Sequence, residues 1–179
     1  MHPELKRRLT RLKGARSLHD DSDVIDVGLV LERSTRGSQT PGLLPESLSS
    51  VNVSMTEQHE IVDHVAGLIE HSECEKWPQL FWILSKAAPE AALSVVVGVI
   101  SRKWRQMDNE TAIQAFFALD SLMFLDIDGA VLGQNADLLK DGELLNFLRR
   151  VDSPEVSLRI STVPDRMACV ERIIERESE

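Results

Sequence analysis

From residue 54 onward, apolar residues recur every three or four positions, in stretches that each begin on a helix-starting residue. A chain patterned this way buries one stripe per helix, so it must stack helix on helix. Ser54-Met55-Thr56-Glu57 reads as a capping box, in which the Ser oxygen takes an orphan N–H and the Glu reaches back. Ile61, Val62, Val65, Leu68 and Ile69 then draw one apolar face. Pro78 suits the first turn of a second helix, where its missing N–H costs nothing, with Leu80, Phe81, Ile83, Leu84 and Ala87 inward. Pro89 opens a third helix, running to about Gln106, whose first half is apolar nearly all round and is expected to be the most buried element. Asp108 or Asn109 caps a fourth helix carrying Ile113, Phe116, Phe117, Leu119, Leu122 and Met123, and Asp141 caps another with Leu144, Leu145, Phe147, Leu148 and Val151 inward. Pro164 starts the last, carrying Met167, Val170, Ile173 and Ile174. The expected fold is mainly α, a multi-helix bundle or a right-handed α-superhelix.

Three segments also fit buried strands: LSVVVGVI at 93–100, SLMFLDI at 121–127 and VSLRIS at 156–161. Periodicity alone does not separate a short buried strand from a buried helix, and with all three the C-terminal half becomes an α/β alternation. The helical reading is preferred, because 93–104 continues smoothly from the Pro89 start and 110–124 holds a helical face throughout.

Residues 1–53 have a different character. Leu5, Leu9 and Leu12 lie on one side of a short amphipathic helix, surrounded by basic residues. VIDVGLVL at 24–31 is β-branched and apolar, suited to one strand or an extended segment lying on the body. From Ser34 to Ser54 the chain is rich in Ser, Thr, Gly and Pro, which is linker composition. The expected organisation is therefore a basic N-terminal segment and linker over 1–53, partly extended or disordered, and a helical domain over 54–179.

Charge follows the same division. The chain carries −9 overall, but residues 1–16 hold Lys6, Arg7, Arg8, Arg11, Lys13 and Arg16 against Glu4 alone, a local +5, which leaves −14 for the rest. An acidic body repels phosphate backbones, so nucleic-acid binding by the body is not expected. Only the first 16 residues have the sign for an acidic or phosphate-bearing surface. They read as a basic tail, a docking arm or an Arg-rich targeting peptide, the last opposed by Asp20, Asp21 and Asp23. Cys74 and Cys169 make no disulfide framework and have no metal-ligand spacing around them. No apolar run approaches the roughly 20 residues of a membrane span, and the N-terminus lacks the apolar stretch of a secretory signal. An intracellular protein is expected, in the cytoplasm first and in the nucleus or an organelle otherwise.

The sharpest local string is Phe124-Leu125-Asp126-Ile127-Asp128-Gly129-Ala130-Val131. It resembles the first motif of the haloacid-dehalogenase-like phosphohydrolases, an apolar strand followed by Asp-x-Asp-Gly. The resemblance implies Asp126 as nucleophile, Asp128 as general acid/base and Mg²⁺ held by both, since a carboxylate accepts a phosphoryl group once a metal neutralises the repulsion. The chain departs from that family beyond the motif. The usual Thr after Gly is Ala130, only 50 residues follow Gly129, and no acidic pair follows a strand signal. As a calcium loop the segment fails, because Val131 stands where Gly is required.

His59-Glu60-Ile61-Val62-Asp63-His64 has Asp63 where the zinc-protease motif needs its second His, so a solvated helix face is expected there. No Gly-rich phosphate loop, GxSxG elbow or Cys–His nucleophile pair is present, and no cofactor or metal is expected. Arg102, Lys103 and Arg105 beside Trp104 form the body's only basic cluster, suited to the negative end of a helix or to a small anionic contact.

Successive amphipathic helices joined by Pro- or Asp-marked turns, with the run from Ala112 to Phe124 followed by a Gly-containing turn, resemble the VHS/ENTH-like and HEAT-like helical superhelices over 55–178. That resemblance implies a non-catalytic adaptor with a groove for a peptide or protein partner. The expected function is thus a protein-interaction module or assembly subunit, with the basic N-terminal arm docking on its partner. An acidic inhibitor masking a basic surface is one version of it. The alternative is a small Mg²⁺-dependent phosphohydrolase using Asp126 and Asp128.

Overall fold

The computed structural model describes residues 1–13, 21–37, 42–156 and 160–179. Among them are nine α-helices joined by short turns and 3-10 segments, with no strand. The helices are α1 (Pro3–Arg11), α2 (Ser22–Arg36), α3 (Met55–Glu70), α4 (Trp77–Leu84), α5 (Pro89–Lys103), α6 (Asn109–Leu125), α7 (Ala130–Gln134), α8 (Glu143–Asp152) and α9 (Val163–Glu177). The all-helical expectation holds. The strand alternative fails at 93–100, which lies inside α5, and at 121–125, which closes α6. Of the third candidate strand, residues 157–159 lie outside the described residues.

α5 is the central element. It packs against α3, α6, α7 and α8, and its Leu93, Val96, Val97, Val99 and Ile100 are buried. A helix apolar on nearly every side needs neighbours on nearly every side. Its first N–H groups have no cap from their own segment. Instead the buried Gln58 of α3 accepts the Ala88 N–H at 2.9 Å through Oε1.

The capping box at α3 forms as the sequence predicts, with Ser54 N donating to Glu57 Oε2 at 2.8 Å and Glu57 N donating to Ser54 Oγ at 3.2 Å. Asp108 caps α6 by accepting the Thr111 N–H at 2.8 Å. At α8 the N-cap is Gly142, in left-handed backbone at φ 74°, one residue beyond the expected Asp141. Asp141 still accepts the Glu143 N–H at 3.0 Å.

The principal departure from the sequence reading is in residues 24–31. They are not extended but form the middle of α2. Asp21 starts that helix by accepting the N–H groups of Asp23 and Val24. Val24, Val27 and Leu31 then fall on one helical face, buried against α4. Burial outweighs the weak preference of β-branched residues against helix. α1 packs in turn on α2, and Leu5, Leu9, Leu12, Val24, Val27 and Leu48 belong to the same apolar core as α3 to α9.

Three arginines tie elements together through backbone carbonyls. Arg33 donates to Leu48 O, Ser49 O and Val51 O, and Arg36 donates to Ser85 O at 2.9 Å and Lys86 O at 3.3 Å just past α4. Arg150 of α8 donates to Trp104 O at 2.6 Å and Met107 O at 2.7 Å just past α5. The last carbonyls of a helix have no intrahelical partner, and a guanidinium supplies two parallel donors at the negative end of the dipole.

Candidate functional site

α6 ends at Leu125, and a 3-10 turn over Ile127–Gly129 leads into α7. Asp126 is buried, and both its carboxylate oxygens are occupied: Oδ1 accepts the Val131 N–H at 2.7 Å and Oδ2 the Leu132 N–H at 2.9 Å. It therefore caps the start of α7 from five residues upstream. Asp128 and Gly129 are both left-handed, at φ 58° and 67°, which lets so short a turn close. The Gly129 position lies close to α9, where an added Cβ would stand 3.7 Å from Ile173 Cδ1 and 3.8 Å from Cys169 Sγ.

Between this turn and α9 runs an open groove of about 840 Å³. Asp128, Gly129, Cys169, Arg172 and Arg176 are among its walls, with Arg166 at one side. Arg166 is held by Asp120 of α6, Nε to Oδ1 at 2.7 Å, and it also lines a second groove of about 380 Å³ with Phe124, Thr162 and Arg36. The two grooves thus meet at Arg166. Beside them the outer face of α6 is apolar and open. Phe117 and Phe124, seven residues apart and so on one face, are 44% and 77% exposed, and Ile127 in the turn is 78% exposed.

The strand that the dehalogenase-like resemblance implies ahead of Asp126 is the helix α6. Asp126 and Asp128 do come together at the groove, Asp126 as a cap and Asp128 on the wall. Among the described residues no group of three or more His, Cys, Asp or Glu is arranged to hold a metal ion. His64 instead contacts the Leu9 carbonyl through Nε2 at 3.0 Å, tying α3 to α1.

The basic N-terminal residues are divided by α1. Arg8 forms ion pairs with Glu4, Asp23 and Asp26, and Arg11 pairs with Asp23 at 2.8 Å. Burial pushes the Asp26 carboxyl above its ordinary value, against the pull of Arg8. Arg7 is exposed and pairs with Glu4 at 3.1 Å. Lys6 and Lys13 are exposed, and Arg16 lies outside the described residues. The 102–105 cluster is likewise paired within the chain at its surface: Arg102 and Lys103 pair with Glu70, and Arg105 pairs with Glu143 while stacking on Trp104 at 4.4 Å. The Trp104 indole N–H donates to the same Glu143 at 2.8 Å. Hydrogen bonds from Arg105 and then Trp104 hold the Glu143 carboxyl below its ordinary value.

The groove along α9 was not anticipated from the sequence. Its only trace there is the spacing of Cys169, Arg172 and Arg176, three and four apart on the polar side of the last helix. Comparison with protein-family models, curated proteins and solved structures finds no match to this chain. No helix among the described residues is long and apolar enough to cross a membrane.

Proposed function

We propose that this chain is a non-catalytic protein-interaction module, an intracellular adaptor or assembly subunit that meets its partner on the outer face of α6 and the turn beyond it. The observation that carries this reading is the exposure of Phe124 and Ile127, three residues apart, which at 77% and 78% are the most exposed large apolar side chains among the described residues. A contiguous exposed apolar patch rimmed by polar residues marks an interaction surface, and aromatic side chains are enriched at the centre of such surfaces. The likeness to VHS/ENTH-like and HEAT-like superhelices belongs with this reading, since it implies a groove-borne partner. The free thiols Cys74 and Cys169 suit a reducing compartment. Lys6, Arg7 and Lys13 would add a second, electrostatic contact at the other end of the chain.

The test is a pair of exposed-site changes, Phe124→Ser with Ile127→Ser. Their circular dichroism and melting temperature should match the parent, because neither side chain is in the core. Retention of a co-purifying partner should fall by about tenfold or more, as for loss of an apolar anchor. Unchanged retention would remove the reading. Mg²⁺-dependent phosphatase activity that disappears on Asp126→Asn would instead favour the hydrolase alternative.

A further inference from the structure

We infer that the groove between the 126–129 turn and α9 takes an acidic, extended segment of a partner protein, with its carboxylates on Arg172 and Arg176. This rests on the interaction-module reading and names the chemistry of the partner.

Most cations among the described residues are met by a partner within the chain, and Arg172 and Arg176 stand apart as the two that line this groove without one. Arg8, Arg11, Lys86, Arg102, Lys103, Arg105, Lys140 and Arg166 each have a carboxylate within the chain. Arg33, Arg36 and Arg150 are spent on backbone carbonyls. Arg172 and Arg176 have neither kind of partner among the described residues, yet both line the groove beside the left-handed turn. Glu171 and Glu175 stand one position round the helix and do not line it.

Spacing sets the form of the ligand. Residues four apart on a helix are separated by about 6 Å along its axis. In an extended chain, alternate side chains share one face at about 6.6 Å. An acidic-x-acidic segment lying along α9 therefore presents one carboxylate to each guanidinium, in the bidentate geometry that guanidinium favours. Asp165 lies at the opposite end of the groove wall, 11 residues before Arg176, and Asp128 stands across from α9. Asp165 repels an acidic segment placed toward the start of α9, which favours the Arg172–Arg176 end. Across Arg166, whose charge is met by Asp120, the surface continues to Phe124. Arg166 lies six residues before Arg172, about 9 Å along the helix, so a large apolar residue at least three positions from the acidic pair would rest there.

The experiment selects peptides from a random displayed library on the full chain, then measures the recovered peptides by fluorescence anisotropy. Expected sequences carry two acidic residues at alternate positions and a Leu, Ile or Phe at least three positions away. Their affinity should fall by at least about tenfold on Arg172→Glu with Arg176→Glu, fall less on the Gln pair, and weaken between about 0.05 and 0.5 M salt. Lys76→Glu with Arg149→Glu, at exposed sites that do not line the groove, should leave it unchanged. All these sites are exposed, and circular dichroism of each variant checks that it is folded. Acidic peptides that bind the Glu pair as tightly as the parent would overturn the inference, and so would recovery of no peptide. Recovered peptides without acidic residues, lost on Phe124→Ser, would overturn this inference alone and leave the interaction module standing. Peptides indifferent to both sets of changes would overturn both.

Discussion

Gly28 of α2 faces the indole of Trp82 in α4 so closely that a Cβ on Gly28 would lie 2.1 Å from Trp82 Cζ3. The glycine is what lets the N-terminal helices dock on the body at this depth. Gly28→Val is expected to displace the ring and cost about 2 kcal/mol, as overpacking does. For a chain of this size that lowers the melting temperature by roughly 4–8 °C, read by circular dichroism. In a Trp82→Ala background the cost of Gly28→Val should largely vanish, since the two residues share one contact.

Asp126 holds two N–H groups of α7, so its removal should act on stability first. Asp126→Ala is expected to lower the unfolding free energy by about 1–2 kcal/mol, the range for a lost helix cap. Asp126→Asn keeps one acceptor oxygen and should cost about half of that. Urea midpoints measure both. Amide exchange at Val131 and Leu132 should quicken in the Ala variant ahead of the surrounding residues.

The N-terminal cations should separate into two groups on mutation. Arg8→Ala leaves Asp26 buried beside Asp23 without its counter-ion and is expected to cost about 3 kcal/mol. Lys6→Ala and Arg7→Ala, both at exposed sites, should stay within about 0.5 kcal/mol of the parent. Equal costs at all three positions would mean that α1 is not anchored through Arg8. Denaturant titration of the three single variants decides it.

Glu143 titrates below its ordinary value of 4.5 because Arg105 and Trp104 bond its charged form. A carboxyl whose folded value is depressed contributes stability that is present above 4.5 and lost as the pH falls through the folded value. The Trp104 indole N–H resonance should therefore move with a midpoint below 4.5, and Arg105→Ala should raise that midpoint toward the ordinary value. Glu143→Gln should abolish the transition. Asp26 runs the other way: its raised value favours the folded state below the ordinary value and loses that contribution as the pH rises through the folded one.

Much of the helical architecture is legible in the sequence because capping residues and apolar stripes act locally. Ser54 with Glu57, Asp108 and Pro89 each mark their helix start from their own neighbours. Residues 24–31 mislead because Val and Ile suit a strand when judged alone. Their helix is selected by Trp82 and the rest of α4, about 50 residues further on. The site behaves similarly. Asp126-x-Asp128-Gly129 stands out as chemistry, yet what Asp126 does depends on the backbone N–H groups that the turn folds onto it. Arg172 and Arg176 look like ordinary solvated residues until α9 is laid against that turn.

The arginines at 33, 36 and 150 also bear on how long the folded state lasts. Their bonds to carbonyls span 15–18, 49–50 and 43–46 residues of chain. Those of Arg36 and Arg150 join helices far apart in the chain, so they are expected to form after the rate-limiting step of folding. Interactions of that kind leave the folding rate nearly untouched and slow the opposite passage. Arg36 and Arg150 are thus expected to act as latches, and replacing either should shorten the native lifetime, read as a faster unfolding rate in denaturant jumps, without delaying assembly.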